Sequence, residues 1–220
     1  MAKHASRAGP TDEFGGPAFA LPEDAQLWIV RHGETEWSRD GRHTGRTDLP
    51  LLPEGEAQAR AVQKVLAGID PSLVLVSPRQ RARRTAELAG LRIDDVDPDL
   101  AEWDYGDYEG ITTAVIRQSV PDWTVFTHPC PGGERIEQVS RRADRVIARV
   151  LGHWQDGGDG PVVLVSHGHF SRVLGARWIE QPAEFGARLV LGTAAPSLLG
   201  ADKQTPAIVH WNMPNPAEGH

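Results

Sequence analysis

Two stretches of this chain end in the same way. Leu27-Trp28-Ile29-Val30 runs into Arg31-His32-Gly33, and Val162-Val163-Leu164-Val165 runs into Ser166-His167-Gly168. Each is an apolar run that delivers a histidine followed by glycine. Such a run, bounded by Gly and polar residues, reads as a buried strand. In open α/β sheets the ligand site lies beyond the carboxyl ends of the strands. The two histidines are therefore expected to meet in space, although 135 residues separate them in sequence. Two histidines and an arginine at strand ends suit phosphate. Arginine is a permanent planar cation that can grip phosphate oxygens bidentately. A neutral imidazole can attack phosphorus. Cationic neighbours such as Arg31 and Arg81 favour the neutral form of His32. The second histidine can donate to the non-bridging oxygens, and the helix N-terminus after Gly168 points backbone N–H groups at an anion. The leaving oxygen then needs a proton. Glu102, in a loop of aromatics, acids and glycines, is the best candidate to supply it.

The elements that must position these groups follow from the pattern. Strands are expected at 27–31, 73–76, 91–93 and 161–166, with three more near 188–191, 196–200 and 207–211. Helices are expected at 53–67, 78–89, 112–118, 134–152 and 169–179. Pro53 opens the first helix, whose apolar stripe is Ala57, Ala61, Val62, Val65 and Leu66. Ser77 followed by Pro78 reads as an N-cap. The helix after it carries Arg79, Arg81, Arg83 and Arg84. A cation near a helix N-terminus opposes the dipole, so Arg81 reads as a ligand while the other three read as solvated. The polar loops 32–52 and 97–110 read as site loops, and the Pro-, Trp- and Gly-rich segment 119–133 as one that folds over the site. Alternating strands and helices predict a three-layer α/β/α sandwich on a mostly parallel sheet, with antiparallel pairing at its end.

Composition sets the bounds. The 220 residues are 40% hydrophobic and 24% charged, which suits one soluble domain with a sizeable core. We expect a domain over 26–211, a flexible N-terminal tail over 1–25 and a C-terminal tail over 212–220. A net charge of −7 argues against general nucleic-acid or anionic-membrane binding, so an anion site must be a local basic pocket. No run approaches the length of a membrane span, and no signal peptide is read. The single cysteine, Cys130, excludes an internal disulfide and fits a cytoplasmic setting. It reads as inert.

Four ordered motifs give the chain a family resemblance. Arg31-His32-Gly33-Glu34-Thr35 is followed by Trp37 and by Gly41, Gly45, Asp48, Pro50 and Leu51. Ser77 to Ala86 contains Arg81. Leu100 to Gly110 contains Glu102. Val165-Ser166-His167-Gly168 is followed by Arg172. Together they resemble the histidine phosphatase superfamily, the phosphoglycerate mutase-like fold, over about residues 26–211. The resemblance implies a phosphohistidine formed on His32 and hydrolysed by water. It implies that Arg31, Arg81 and His167 hold the phosphoryl group, and that Glu102 acts as acid and then as base. It implies no metal and no cofactor. The implied partner is a small-molecule phosphate ester. A homodimer is common among similar proteins.

Two positions depart from the family pattern. Ser38 stands where Asn often contacts phosphate, and Leu51-Leu52 stands where Leu-Thr usually caps the helix. Thr44, Gly45, Tyr105 and His169 are further candidate substrate contacts: a hydroxyl, a backbone N–H, the family position three after the acid, and a pocket-lining imidazole. The short span from Glu102 to Gly133, with Arg117 and no Lys, and Thr113 where mutases tend to have Lys, favours a phosphatase over a phosphoglycerate mutase. The segments 77–83, 102–110 and 130–134 look most like a branch of acid phosphatases and sedoheptulose-bisphosphatase. The competing readings are a mutase, a non-catalytic relative that only binds a phospho-ligand, and a metal hydrolase built on His167 and His169. Activity is expected to be higher at mildly acidic pH, because the acid must carry a proton.

Overall fold

The computed structural model describes residues 21–22 and 24–217. A six-stranded sheet has the order β3-β2-β4-β1-β5-β6. The strands are β1 (Leu27–Arg31), β2 (Leu73–Val76), β3 (Asp95–Val96), β4 (Val162–Ser166), β5 (Pro196–Asp202) and β6 (Thr205–His210). β3, β2, β4 and β1 run parallel, whereas β1 pairs antiparallel with β5, and β5 with β6. The helices are α1 (Glu36–Arg39), α2 (Pro53–Val65), α3 (Gln80–Leu88), α4 (Thr113–Ile116), α5 (Ile136–Gln155) and α6 (Gly168–Trp178).

Strand alternation builds the three layers. Leu27 and Ile29 of β1, with Val162 and Leu164 of β4, face one side and pack with Val139, Ala143, Val146 and Val150 of α5 and Phe170, Val173 and Leu174 of α6. Trp28, Val30, Val163 and Val165 face the other side, against Val62 of α2 and Ala82 and Ala86 of α3. Successive side chains on a strand point to opposite faces, so a central strand covered on both sides must be apolar throughout.

Several expectations change. The strand at 91–93 is absent; Leu91 and Ile93 pack on the core beside α2 and α3, and the edge pairing comes later, at β3. Residues 188–191 are not a strand: Arg188 ends a 3₁₀ helix over Ala183–Arg188, and 189–191 follow it as irregular chain. The Val190 and Leu191 carbonyls accept from Trp211 and Arg31 side chains instead of a ladder. Ala57 is exposed; the buried stripe of α2 runs through Gly55, Ala59 and Val62. Helix 112–118 shortens to α4, and the 32–52 segment, expected as a loop, contains the short helix α1. Most of the proposed 1–25 tail lies outside the described residues, but Leu21 and Ala25 are buried, so packing begins before 26. The chain beyond 211 is also tied down. Asn215 is buried, and its amide donates to the Gln58 and Ala194 carbonyls.

Candidate active site

β1 and β4 are adjacent and parallel, with Arg31 in register with Ser166. The next residue of each strand is a histidine, so equal register puts His32 and His167 side by side at the same sheet edge. Their ring centroids are 5.2 Å apart at an interplanar angle of 63°. Gly33 is required where this turn meets α2: a Cβ there would strike the Gly55 carbonyl, and one on Gly55 would strike the Glu34 backbone. Two glycines thus let the helix lie directly against the His32 turn.

His32 is buried, and its Nδ1 lies 2.7 Å from the Gly33 carbonyl oxygen. A carbonyl can only accept, so Nδ1 carries the proton and Nε2 carries the lone pair. Burial, then the charges of Arg81 and Arg31, push the imidazole well below its ordinary value and hold it neutral. His167 is fully enclosed. Its Nε2 lies 2.6 Å from Ser77 Oγ, and its Nδ1 has no partner among the described residues. Ser77 Oγ also accepts from the Arg79 N–H at 3.3 Å, but α3 starts later, capped at Arg79, so Ser77 is not the N-cap expected of it; the Gln80 N–H donates to Asp48.

Arg81 is fully buried. It donates to the Thr47 and Thr44 carbonyls at 2.9 Å each, while its Nε stays unpaired. Arg31 donates to the Leu191 carbonyl at 2.6 Å and also keeps an unpaired, buried Nε. Arg79 was expected to be solvated, yet it is half-buried with its Nε enclosed, and its charge reaches His167. Buried, unpaired cationic donors are costly unless an anion meets them. Arg83 and Arg84 are exposed, and Arg84 pairs with Glu56 and Glu87.

Glu102 is buried, and three backbone N–H groups hold it. Trp103 and Phe170 donate to Oε1 at 2.9 Å each, and His169 donates to Oε2 at 3.0 Å. Two of these donors are the first turn of α6. The anion at that helix N-terminus is thus Glu102 itself, not the phosphate the sequence suggested. Behind it, Arg142 of α5 grips Glu134 with two bonds of 2.8 Å and also donates to the Asp99 and Ala101 carbonyls. This clamp fixes the strand of chain that carries Glu102.

A cavity of about 180 Å³ opens beside these groups. Arg31, His32, Glu102 and Gly168 line it around the nucleophile, here its inner end, and Ser38, His43, Thr44, Tyr105, Thr113 and His169 line the remainder, its outer end. Arg81 and His167 are fully enclosed and do not line it. Two expected contacts are otherwise occupied. Ser38 Oγ donates its one proton to the Thr35 carbonyl and accepts from the Thr35 N–H, closing the cap of α1. The Gly45 N–H donates to the Glu109 carboxylate at 3.0 Å, and Gly45 does not line the cavity. Thr44 offers its carbonyl to Arg81. Tyr105 is buried, with its hydroxyl 2.6 Å from His169 Nδ1. Cys130 is buried too, and burial pushes its thiol up to about 12, so no thiolate forms near neutrality. Sequence reasoning missed His43, Ser77 and Glu134. A histidine three residues after Asp40 in a Gly-rich loop carried no periodic signal. Trp123, Val125 and Phe126 of the segment 119–133 are buried, and Trp123 and Phe126 pack against His43 and His169.

Among the described residues no helix is long and apolar enough to cross a membrane. The chain is 46% identical over 177 residues to an acid phosphatase of Mycobacterium tuberculosis, covering 80% of this chain and 86% of that one. It is 38% identical to the sedoheptulose 1,7-bisphosphatase of Saccharomyces cerevisiae, covering 68% and 66%. The solved structure of the open reading frame Rv3214 from Mycobacterium tuberculosis matches with a TM-score of 0.83 at 42% identity, covering 87% of this chain and 99% of that one. The profile of the histidine phosphatase superfamily (branch 1) matches residues 27–214. On a sheet whose parallel strands bring two histidines to one edge, this match settles the family: the chain is a phosphatase of the histidine phosphatase superfamily.

Proposed function

We propose that the protein hydrolyses phosphate monoesters of small metabolites through a phosphohistidine on His32. The observation that carries this is the fixed tautomer of His32: Nδ1–H is spent on the Gly33 carbonyl, which leaves a lone pair on Nε2 beside two arginines. Nε2 attacks phosphorus, the P–O bond to the alcohol breaks, and the leaving oxygen takes a proton from Glu102. Oε2 of Glu102 has one N–H partner where Oε1 has two, so Oε2 has room for that proton. Water then attacks the phosphohistidine and returns a proton to Glu102. Arg31, Arg81 and the unpaired Nδ1 of His167 hold the phosphoryl oxygens as their charge redistributes. Arg81 and His167 are enclosed, so the side chains that separate them from the cavity must shift for them to reach those oxygens. The charge of the transferred group is met by protein cations, and activity is expected to survive a chelator. Further parts of the reading are a cytoplasmic setting and a homodimer.

The test is rapid-quench mass spectrometry with p-nitrophenyl phosphate in chelator. A phosphorylated peptide containing His32, absent in His32→Ala, supports the mechanism. Phosphate release that persists undiminished in His32→Ala overturns it.

A further inference from the structure

The inner end of the cavity is accounted for by phosphoryl transfer; the outer end is not. It holds two more imidazoles, His43 and His169, stacked at 6.0 Å and 17°. Each has one nitrogen fixed by the fold. The His43 Nδ1 lies 2.6 Å from the Ile111 carbonyl, which can only accept, so Nδ1 is protonated and Nε2 is a bare acceptor. Tyr105 has a single hydroxyl proton, and His169 Nδ1 is its hydrogen-bond partner at 2.6 Å. When Tyr105 donates there, His169 Nε2 carries the proton and is a donor. Neither Nε2 has a partner among the described residues, and neither is sealed from the cavity that both rings line.

Neutral hydrogen-bonding groups distinguish this end from the inner one. Burial is the first cause that holds both imidazoles below their ordinary value, and hence neutral. The cation on this wall, Arg42, is paired with Asp40 at 3.3 Å. Arg172, nearby, spends its guanidinium on the Gly186 and Ala187 carbonyls and lies over Phe126. The wall therefore offers a neutral acceptor at His43 and a neutral donor at His169, while the charge of Arg172, whose donors are spent on carbonyls, reaches His169. A hydroxyl both donates and accepts, so it can satisfy both imidazoles at once. A second phosphate or carboxylate would face the lone pair of His43.

We infer that His43 and His169 form an acceptor–donor pair that selects the alcohol side of the substrate, favouring a polyhydroxylated leaving group with no second anion. This rests on the phosphatase reading above and assigns His43 a specificity role within it.

The test is a three-carbon series at pH 7 in chelator: glycerol 3-phosphate, propyl phosphate and 3-phosphoglycerate. kcat/KM is measured for the wild type, His43→Phe and His43→Gln. The wild type is expected to favour glycerol 3-phosphate over each of the others by at least about tenfold, since a site built to bond a hydroxyl rejects analogues lacking it. His43→Phe is expected to bring the glycerol-to-propyl ratio close to one, and His43→Gln, which keeps an acceptor, to restore part of it. A wild-type enzyme that handles propyl phosphate or 3-phosphoglycerate as well as glycerol 3-phosphate overturns the inference, whether or not His43→Phe folds. An unchanged ratio in a folded His43→Phe also overturns it. p-Nitrophenyl phosphate separates the two readings. If it is hydrolysed with dependence on His32 while the series shows no discrimination, only this inference falls. If no substrate releases phosphate, the phosphatase reading falls and takes this one with it.

Discussion

The two ends of one cavity are built by different means. The inner end is made by the sheet: His32 and His167 follow paired strands in equal register, and their positions are over-determined by backbone bonds and by close-packed glycines. The outer end is made by the first turn of α6, by the short helices α1 and α4, and by loops. His43 is held because the 41–45 segment pairs with 110–112, where Gly110 donates to the His43 carbonyl and His43 to the Ile111 carbonyl. His169 is held by Tyr105. The charge differs as well: enclosed, unpaired arginine donors inside, and neutral hydrogen-bonding groups outside. Reaction type is thus tied to the paired strand ends, and the His43 half of the specificity pair to a loop, where change is easiest.

The largest effect should come from the inner end. His32→Ala should reduce phosphate release at least about 10⁴-fold, since a nucleophile has no substitute; steady-state turnover of p-nitrophenyl phosphate checks this. Glu102→Gln should cost about 10²–10⁴-fold on an alkyl phosphate and far less on p-nitrophenyl phosphate, whose phenolate leaves without a proton. Equal losses on both substrates would show that Glu102 does not act as the acid. Removing the clamp behind it, by Arg142→Met, should lower kcat on the alkyl ester roughly tenfold through misplacement of the carboxyl, with KM and p-nitrophenyl turnover changed less. A uniform loss on both esters would make Arg142 merely structural.

A further effect is on stability. His32, His167 and His169 are held below the ordinary imidazole value of 6.5, burial being the first cause in each. The unfolded chain therefore binds more protons than the native one between 6.5 and the lowered native values. Stability is full above 6.5 and falls as pH drops through that window, by about 1.4 kcal/mol per pH unit for each group that remains neutral. Urea denaturation at pH 7, 6 and 5 measures it. The same depression keeps His32 neutral, and so nucleophilic, at mildly acidic pH. A flat stability profile would mean that these imidazoles are not held neutral.

Much of this was legible in the chain. The apolar runs marked β1, β2 and β4, and the helix expected at 134–152 stands at Ile136–Gln155, because a two-sided sheet and a one-sided helix impose different periods. Arg31, His32, Glu102 and His167 stood out by type and setting. What failed was competition for hydrogen-bonding groups. Ser77 has the residue type of a helix cap, but its hydroxyl pairs with His167, 90 positions away. The Gly45 N–H and the first turn of α6 were read as anion donors, yet carboxylates of the protein itself, Glu109 and Glu102, occupy them. Residue type says what a group can bond, and only proximity says which partner reaches it first.

The sequence by itself determined the layers, the strand ends that carry the two histidines, and the chemistry that histidine, arginine and glutamate can perform on phosphate. Those follow from local patterns of polarity and from side-chain type. The tertiary structure decided the tautomer of His32, the enclosure of Arg81 and His167, the anchoring of Glu102 on the start of α6, and the presence of His43 in the cavity wall. Each depends on contacts between residues far apart in the chain, where equal register, burial and competition for a single carbonyl or N–H set the outcome and no local pattern records it.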